Sequence, residues 1–479
     1  MVSAVATLGM VAGLLVSIAP SASARANTCW AKNLTQGTLS RSNLQAAINA
    51  AEAGDTIAVK HVCVGSFRIG KELTLVGREM QDGQKPVLQG EGSGRVLRVA
   101  ARVTLMKLKV TGGQSLAGGG IAVLERSTLT LNGTVVRGST AVDEGGGIVN
   151  YGKVILNGWS SVSANTAGET AGGVANHGTL VLNHHSAVEG NSAKWGGGIS
   201  NYTYRRPRRN TDVTIVMDDS SSVSGNTAVM GGGIVTWSRK KNLALTMNDS
   251  SSVSDNDATS HAGGIWMLNG TVVMNDSSSV SGNWGDGGSG GIENASGNLI
   301  MNDWSKVSGN EGGGSGGGVS HYGYSFTMND RSSVRGNIAG ERGGGVVVSG
   351  GPLTMNGSSS IRGNHTDLSG GGFMLLFGSV TMRDTSIVRG NTADEGGGGM
   401  YIESSQYSSS ALVLLRQSSS VIGNRSDFDD IGPSGAGGIR CVVLEGGDLT
   451  LTGATDGGNV NDNYVGSTGT TESNIDGCF

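Results

Sequence analysis

Residues 343–364 read GGGVVVSGGPLTMNGSSSIRGN, and this stretch contains the unit from which most of the chain is built. It holds three short apolar pieces separated by Gly, Asn and Ser. In the middle piece Leu353 and Met355 alternate with polar residues, and a period of two is typical of a β-strand. No piece has room for a helix of about ten residues, so the unit predicts short strands joined by tight turns.

The unit recurs with a period of about 27 residues. Five consecutive intervals of 27 separate the glycine clusters between Ile265 and Met400, and the intervals elsewhere range from 25 to 39. Such regularity is typical of a solenoid. The apolar residues that follow the glycine clusters are Ile121, Ile148, Val174, Ile199, Ile234, Ile265, Ile292, Val319, Val346, Phe373, Met400 and Ile439.

Three strands in each coil of about 27 residues predict an all-β fold, a right-handed parallel β-helix in which successive coils pair at roughly 4.8 Å. A leucine-rich repeat shares the period, but it needs more leucine and a helical side. Equivalent side chains of a β-helix stack in columns, and columns of identical apolar residues build a core that one coil is too small to form alone. The predicted inward columns are Met217, Met247, Met274, Met301, Met328, Met355 and Met382, and Val223, Val253, Val280, Val307, Val334, Ile361 and Val388.

The first 24 residues are predicted to be a secretory signal peptide. An apolar stretch runs from Val2 to Ile18, and the small residues of Ala22-Ser23-Ala24 follow it. The alternative is a membrane anchor, but 17 apolar residues are marginal for crossing a bilayer. We therefore expect an extracellular protein, secreted or associated with a cell surface, with no transmembrane segment beyond the signal.

The remaining residues, 25–479, are predicted to form a single β-helix domain. Residues 25–56 form its N-terminal cap, residues 57–450 its coils and residues 451–479 its C-terminal cap. Within the first cap, residues 42–51 combine a helix-capping signal with apolar residues at helical spacing. This pattern predicts a short amphipathic helix that covers the open end of the core.

The four cysteines are Cys29, Cys63, Cys441 and Cys478, and none lies inside the repeat array. Four cysteines allow three pairings. Their proximity along the chain favours a disulfide between Cys29 and Cys63 at one end and another between Cys441 and Cys478 at the other. Both bonds would tie down the ends of the solenoid, and disulfides fit an exported protein.

Two sets of residues resemble known β-helix families. Residues 44–48 (LQAAI), 54–57 (GDTI) and 73–75 (LTL) are similar to the start of pectate-lyase-like right-handed β-helix proteins. The repeats, which pair a Gly-Gly-Gly-Ile element with a later Val-x-Gly-Asn element, resemble those of polymorphic outer-membrane proteins, although that family carries Ala and Phe at two of these positions. The resemblance covers roughly residues 42 to 465 and implies a surface-exposed or released protein with an adhesive role.

A column of asparagines closes the repeats, at Asn165, Asn191, Asn226, Asn256, Asn283, Asn310, Asn337, Asn364, Asn391 and Asn424. One hypothesis is a line of polar ligands. The favoured one is a ladder at a sharp turn, in which each amide bonds the backbone or the next amide. The glycine triplets are interpreted in the same structural way, as positions that need positive φ or close backbone approach.

A column of aspartates follows the methionine strand, at Asp219, Asp249, Asp276, Asp303, Asp330 and Asp384, and Gly357 and Gln417 interrupt it. Calcium binding is the alternative to backbone hydrogen bonding at the turn, and no other cofactor is predicted. No metal site is predicted from the seven histidines, because only His184 and His185 are paired and neighbours on a strand face opposite sides.

The period slips between Ile199 and Ile265, where two coils carry clusters of cations and aromatic residues. Insertions in a solenoid gather on one face, which is often the binding face. We therefore expect one patch, in which arginines bind carboxylates or sulfates and aromatic rings bind sugars. A solvated loop is the alternative. The candidate binding residues are Tyr202, Tyr204, Arg205, Arg206, Arg208, Arg209, Trp237, Arg239, Lys240, Lys241 and Trp266, the last at the place in its coil that Trp237 occupies.

The resulting functional hypothesis is a non-catalytic, monomeric scaffold that binds an acidic polysaccharide or another cell-surface polymer. A net charge of −4 gives no bias toward nucleic acid. The alternative is a lyase or glycosidase acting on polysaccharides, because β-helices also host such enzymes, but no catalytic residues can be named. A third hypothesis, an ice-facing surface, would need a flat threonine array, whereas the repeated outward residues are mostly serine.

Overall fold

The computed structural model describes residues 29–41, 43–78, 83–202, 213–237, 243–404, 411–426, 439–443, 449–452 and 459–460. Over these residues the chain is a right-handed parallel β-solenoid of about 12 turns, with about 27 residues per turn and one short helix near the N-terminus. The predicted fold class is confirmed. The predicted signal peptide, residues 1–24, lies outside the described residues.

Each coil passes through four sheets rather than the three strands that the repeat predicted. The long strand Phe373–Met382 belongs to both the first and the second sheet. The first sheet contains Phe67–Ile69, Leu97–Val99, Ile121–Val123, Ile148–Asn150, Val174–Asn176, Ile199–Tyr202, Ile234–Trp237, Ile265–Met267, Ile292–Asn294, Val319–His321, Val346–Ser349, Phe373–Met382, Met400–Ser404 and Ile439–Val443. The second contains Trp30–Asn33, Leu39–Arg41, Thr56–Lys60, Leu73–Gly77, Arg102–Met106, Thr128–Asn132, Lys153–Asn157, Thr179–Leu182, Val213–Met217, Leu243–Met247, Gly270–Met274, Gly297–Met301, Ser325–Met328, Leu353–Met355, Phe373–Met382, Ala411–Leu415 and Leu449–Thr452.

The third and fourth sheets complete the coil. The third contains Val62–Val64, Val87–Gln89, Lys109–Thr111, Val135–Arg137, Ser161–Ser163, Ala187–Glu189, Ser222–Ser224, Ser252–Ser254, Ser279–Ser281, Lys306–Ser308, Ser333–Arg335, Ser360–Arg362, Ile387–Arg389, Ser420–Ile422 and Asn459–Val460. The fourth contains Gln114–Ala117, Thr140–Glu144, Thr166–Ala167, Ser192–Trp195, Thr227–Met230, Asp257–Ala258, Trp284–Gly285, Glu311–Gly312, Ile338–Ala339, His365–Thr366, Thr392–Ala393 and Arg425–Ser426.

The fourth sheet escaped sequence analysis because most of its strands have only two residues. A strand such as Thr166–Ala167 turns one small side chain inward, so it shows neither an apolar run nor a period of two. Because its inward residues are small, the fourth sheet can lie close to the other sheets of the coil. The buried alanines of this column are Ala141, Ala167, Ala193, Ala258, Ala339 and Ala393.

The predicted inward columns form the core. All seven methionines and all seven valine-column residues are fully buried, and they belong to one continuous apolar cluster along the solenoid. The asparagine ladder is also confirmed. The Oδ1 atom of Asn310, for example, accepts bonds from the backbone N–H and the Nδ2 of Asn283, at 3.1 and 2.8 Å. Its Nδ2 donates to the Val280 carbonyl and to Oδ1 of Asn337.

The glycine triplets are confirmed as positions of unusual backbone and close approach. Gly343 has φ of +65°, a conformation that side chains other than Gly rarely adopt. A Cβ on Gly344 would lie 2.3 Å from the His365 carbonyl oxygen of the next coil. The triplet therefore turns the chain from the fourth sheet into the first where there is no room for a side chain.

A short helix covers the N-terminal end of the core. It runs Leu44–Ala50, and the side chain of its N-cap, Asn43, accepts from the backbone N–H of Ala46. Leu44 and Ile48 are buried in the same apolar cluster as the coils, which confirms the predicted cap.

The disulfide predicted at this end of the chain, between Cys29 and Cys63, is present. Cys441 lies in a first-sheet strand, but its predicted partner Cys478 lies outside the described residues. Over the described residues no helix is long and apolar enough to cross a membrane.

Replacing Asn310 with alanine should lower the free energy of unfolding by about 1–3 kcal/mol, because it leaves the buried backbone N–H of Asn283 without an acceptor and removes one acceptor of its Nδ2. The matched control is Asn302→Ala in a partly buried ladder at the turn between the second and third sheets, where water can replace the lost bonds. Urea unfolding followed by circular dichroism measures both variants. Equal shifts would contradict the special role of the buried ladder.

Candidate functional site

The outer face of the first sheet is covered by side chains, although it points away from the core. Each three-residue strand turns its first and last residues inward and its middle residue outward. Yet the middle residues Val149, Ala175 and Val235 are at most 1% exposed. Side chains from the end of the fourth-sheet strand and from the residue that ends or follows the first-sheet strand fold over them. The middle residues therefore form an apolar floor, and the polar and aromatic side chains that cover it form its walls.

One wall group centres on the buried carboxylate of Glu144, at the end of its fourth-sheet strand. The Tyr151 hydroxyl donates to Oε1 at 2.8 Å, His177 Nε2 lies 2.9 Å from Oε2, and the Tyr202 hydroxyl also donates to Oε2. The Tyr151 and His177 rings stack with centroids 4.8 Å apart. Three successive coils thus direct one donor each at a single carboxylate.

The electrostatics of this group favour a permanent anion. Burial raises the pKa of Glu144, but the hydrogen bonds from His177, Tyr202 and Tyr151 outweigh it and hold the pKa below its usual value. Burial and the Glu144 charge raise the pKa of both tyrosines. His177 Nδ1 lies 3.0 Å from the Tyr202 carbonyl oxygen, so both of its ring nitrogens face oxygen atoms.

A second wall group, one to three coils further on, is a tryptophan cluster that also includes Trp266 and Glu293 from the floor. Trp195 lies with its ring centroid 6.2 Å from that of Trp237 and 5.8 Å from that of Trp266. Trp195 and Trp237 are partly exposed, whereas Trp266 is buried. His261 stacks on Trp266 at 4.4 Å, and its Nδ1 lies 2.9 Å from the carboxylate of Glu293. Together the two wall groups form a surface that we name the aromatic face; its residues are Glu144, Tyr151, His177, Trp195, Tyr202, Trp237, His261, Trp266 and Glu293.

The structure brings three of the predicted binding residues, Tyr202, Trp237 and Trp266, onto this face. The backbone register corrects one detail. Trp266 pairs with Val235, so Leu268, not Trp266, occupies the place in its coil that Trp237 has in the preceding one. The other predicted binding residues lie outside the described residues; they are Tyr204, Arg205, Arg206, Arg208, Arg209, Arg239, Lys240 and Lys241.

Most residues of the aromatic face could not be predicted from the sequence. Glu144, Trp195 and His261 lie at or just after the ends of fourth-sheet strands, which the repeat did not reveal. A usable signal was present one residue after the Asn of the first sheet, where Tyr151, His177 and Tyr202 follow one another in successive coils. Aligning the coils on the glycine triplets places these three rings in one column.

The aspartate column uses its carboxylates within the fold. Each of its aspartates has φ near +55°, and its Oδ2 accepts the backbone N–H of the same position in the preceding coil, as Asp276 does from Asp249 at 3.0 Å. The predicted backbone role is confirmed, with the correction that the bond goes to the neighbouring coil. Calcium binding at this column stays a prediction.

One group among the described residues has the spacing of metal ligands. His365 Nε2 lies 3.5 Å from Asp367 Oδ1 and 3.9 Å from Asp394 Oδ1. The histidine is partly buried and both aspartates are exposed. Sequence analysis missed the group because Asp394 belongs to the next coil.

No protein-family model, curated protein or solved structure matches this chain.

The His261–Glu293 pair should make stability depend on pH. The hydrogen bond to the Glu293 carboxylate raises the pKa of His261 above 6.5, against an opposing effect of burial. A raised folded-state pKa stabilises the protein fully below pH 6.5, and the contribution disappears as pH rises through the folded value. Glu293→Gln should therefore lower the melting temperature more at pH 5.5 than at pH 8.5.

Differential scanning calorimetry at the two pH values measures this difference. The exposed Glu311→Gln, which removes a carboxylate from a neighbouring fourth-sheet strand, is the control and should show no such trend. A Glu293→Gln effect that is constant across pH would refute the assignment.

Proposed function

We propose that this chain is a secreted or cell-surface β-helix scaffold whose aromatic face binds glycans without cleaving them. The observation that carries the proposal is the tryptophan cluster, in which Trp195 and Trp237 are in contact with each other yet partly open to solvent. Flat aromatic rings offer apolar surface to the C–H faces of sugars.

The preference for acidic glycans is supported by the sequence beside this face. The chain leaves the first sheet at Tyr202 and at Trp237, and both residues belong to the aromatic face. Arg205 and Arg239 follow them by three and two residues. Arginine forks next to sugar-binding rings suit a polymer that carries carboxylates or sulfates.

The state of the two carboxylates on the aromatic face, Glu144 and Glu293, favours binding over catalysis by either of them. A glycosidase needs a carboxylic acid that can protonate the leaving group, and its pKa must be raised. Glu144 has a lowered pKa and three donors already bonded to it. Glu293 is held by His261. The alternative, a polysaccharide lyase or glycosidase, is tested by scoring product release in the binding assay.

Export and family membership belong to the same proposal. The disulfide between Cys29 and Cys63 supports an oxidising compartment, because such bonds form and persist outside the cytosol. The residues at 44–48, 54–57 and 73–75 support a place among pectate-lyase-like β-helix proteins, and the repeats support kinship with the polymorphic outer-membrane type.

Replacing Trp195 and Trp237 with alanine should weaken binding to the best ligand of a glycan panel by at least about tenfold, because each lost stacking contact costs roughly 1 kcal/mol. The matched control is Trp159→Ala, which removes a 72% exposed tryptophan that stacks on His185 elsewhere on the coil. Titration by tryptophan fluorescence measures affinity, and chromatography of the same samples detects cleaved glycan. Unchanged affinity in the double variant would refute the proposed face.

Replacing Arg205, Arg206, Arg208 and Arg209 with serine tests the acidic preference. Binding to polygalacturonate should fall, while binding to a neutral glycan that the aromatic face accepts should persist. Surface plasmon resonance at several salt concentrations compares the two. Full retention of polygalacturonate binding by the loop variant would show that these arginines do not contribute.

A further inference from the structure

Three arginines stack on the outer face of the third sheet. Arg335, Arg362 and Arg389 occupy the same outward position in three successive coils, and the parallel register pairs each with the next. Coils are roughly 4.8 Å apart, so the three guanidinium groups form a row of positive charge along the solenoid axis. In the coils just before and after, the same position holds Ser308 and Ile422.

A groove runs beside this row. Its floor is made of Gly336, Gly363 and Gly390, which we name the glycine track; all three are exposed and have φ near +60°. A Cβ at any of these glycines would meet no atom within 4 Å, so the space above them is open. The arginines and the glycine track line an open groove of about 920 Å³.

The arginines have no anionic partner within the described residues. None of the three makes an ion pair or a side-chain hydrogen bond there. The outward residues two positions earlier are Ser333, Ser360 and Ile387, which are uncharged. Across the glycine track the facing residues are Ile338, His365 and Thr392, and the carboxylates near His365 are those of Asp367 and Asp394.

This arrangement is unfavourable in the isolated chain. Burial lowers the pKa of Arg362, and the like charges of Arg335 and Arg389 lower it further. The backbone register holds the three charges together even though they repel. A ligand that supplies one anionic group per coil would remove this repulsion and would gain charge-assisted, bidentate hydrogen bonds.

We propose that the arginine groove, formed by Arg335, Arg362 and Arg389 over the glycine track, binds a linear acidic polysaccharide that lies along the solenoid axis. Extended sugar chains with a carboxylate or sulfate on each unit repeat their charge at a distance of the same order as the coil spacing. Single-stranded nucleic acid fits less well, because the groove lining has no aromatic ring on which bases could stack. The groove lies on the third sheet, apart from the aromatic face on the first, and the proposal does not depend on that face.

The test measures binding of oligogalacturonate and of heparin oligosaccharides to the full chain by isothermal titration calorimetry. The triple variant Arg335→Ser, Arg362→Ser and Arg389→Ser, made in the chain whose Arg205, Arg206, Arg208 and Arg209 are already serine, should weaken binding roughly tenfold for each groove arginine removed. Triple replacement by lysine keeps the charge but not the fork, so it should bind with intermediate affinity.

Two controls separate the groove from general electrostatics and from the aromatic face. The variant Arg331→Ser, Arg342→Ser and Arg383→Ser removes the same charge from positions outside the groove and should bind like the native chain. The Trp195 and Trp237 double variant should also keep its oligogalacturonate contacts in the groove. Its affinity should therefore depend on salt concentration as steeply as that of the native chain, because the same number of arginines contact the ligand.

Some results would overturn the proposal. Equal loss in the groove variant and the charge-matched control would show nonspecific attraction. Unchanged binding in the groove variant would place the polyanion elsewhere. Binding of oligothymidylate with greater affinity than either oligosaccharide would mean that the groove serves nucleic acid instead.

Discussion

Every position of a coil must hold a residue that can stack on its own counterpart in the next coil. The buried asparagine ladder meets this requirement most fully, because each amide accepts two bonds from the coil before it and donates to both neighbours. An interior residue without that capacity would leave a backbone N–H unpaired in the core. The turn between the third and fourth sheets is therefore fixed, and Val (Ile361 in one coil) and Asn keep a spacing of three residues there from Val188 and Asn191 to Val388 and Asn391. The two insertions between Ile199 and Ile265 fall instead between a first-sheet strand and the next second-sheet strand, after Tyr202 and after Trp237.

The same stacking rule decides how much the sequence could predict. The methionine, valine and asparagine columns were visible because one environment repeated along the axis selects one residue type. The fourth sheet was not visible, since a strand such as Asp257–Ala258 has one inward side chain and leaves no periodic trace. The place of Trp266 in its coil was predicted wrongly because the two tryptophans were aligned with each other. The strands pair Ile234 with Ile265, and this register places Trp266 beside Val235.

The aromatic face could not be predicted for a different reason. Glu144 receives donors from Tyr151, His177 and Tyr202, which come from three coils and from positions that differ from its own. Contacts between different columns depend on how far the ends of the fourth-sheet strands extend over the outer face of the first sheet. That geometry follows from strand length, and strand length was the feature that the repeat left undetermined.

The charged residues separate those that the fold explains from those that it does not. The Glu144 carboxylate lies among donors from its own chain, which compensate its burial, so it is explained by the fold. Arg335, Arg362 and Arg389 obey the same stacking rule as the asparagines, but stacking amides satisfies donors and acceptors, whereas stacking cations only adds repulsion. The scaffold offers serine at the preceding outward positions of this column, for example Ser254, Ser281 and Ser308, so the backbone does not require arginine there. The fold neither needs nor neutralises these three charges. Binding of an anion from outside the chain would neutralise them, and this accounts for their position in one row.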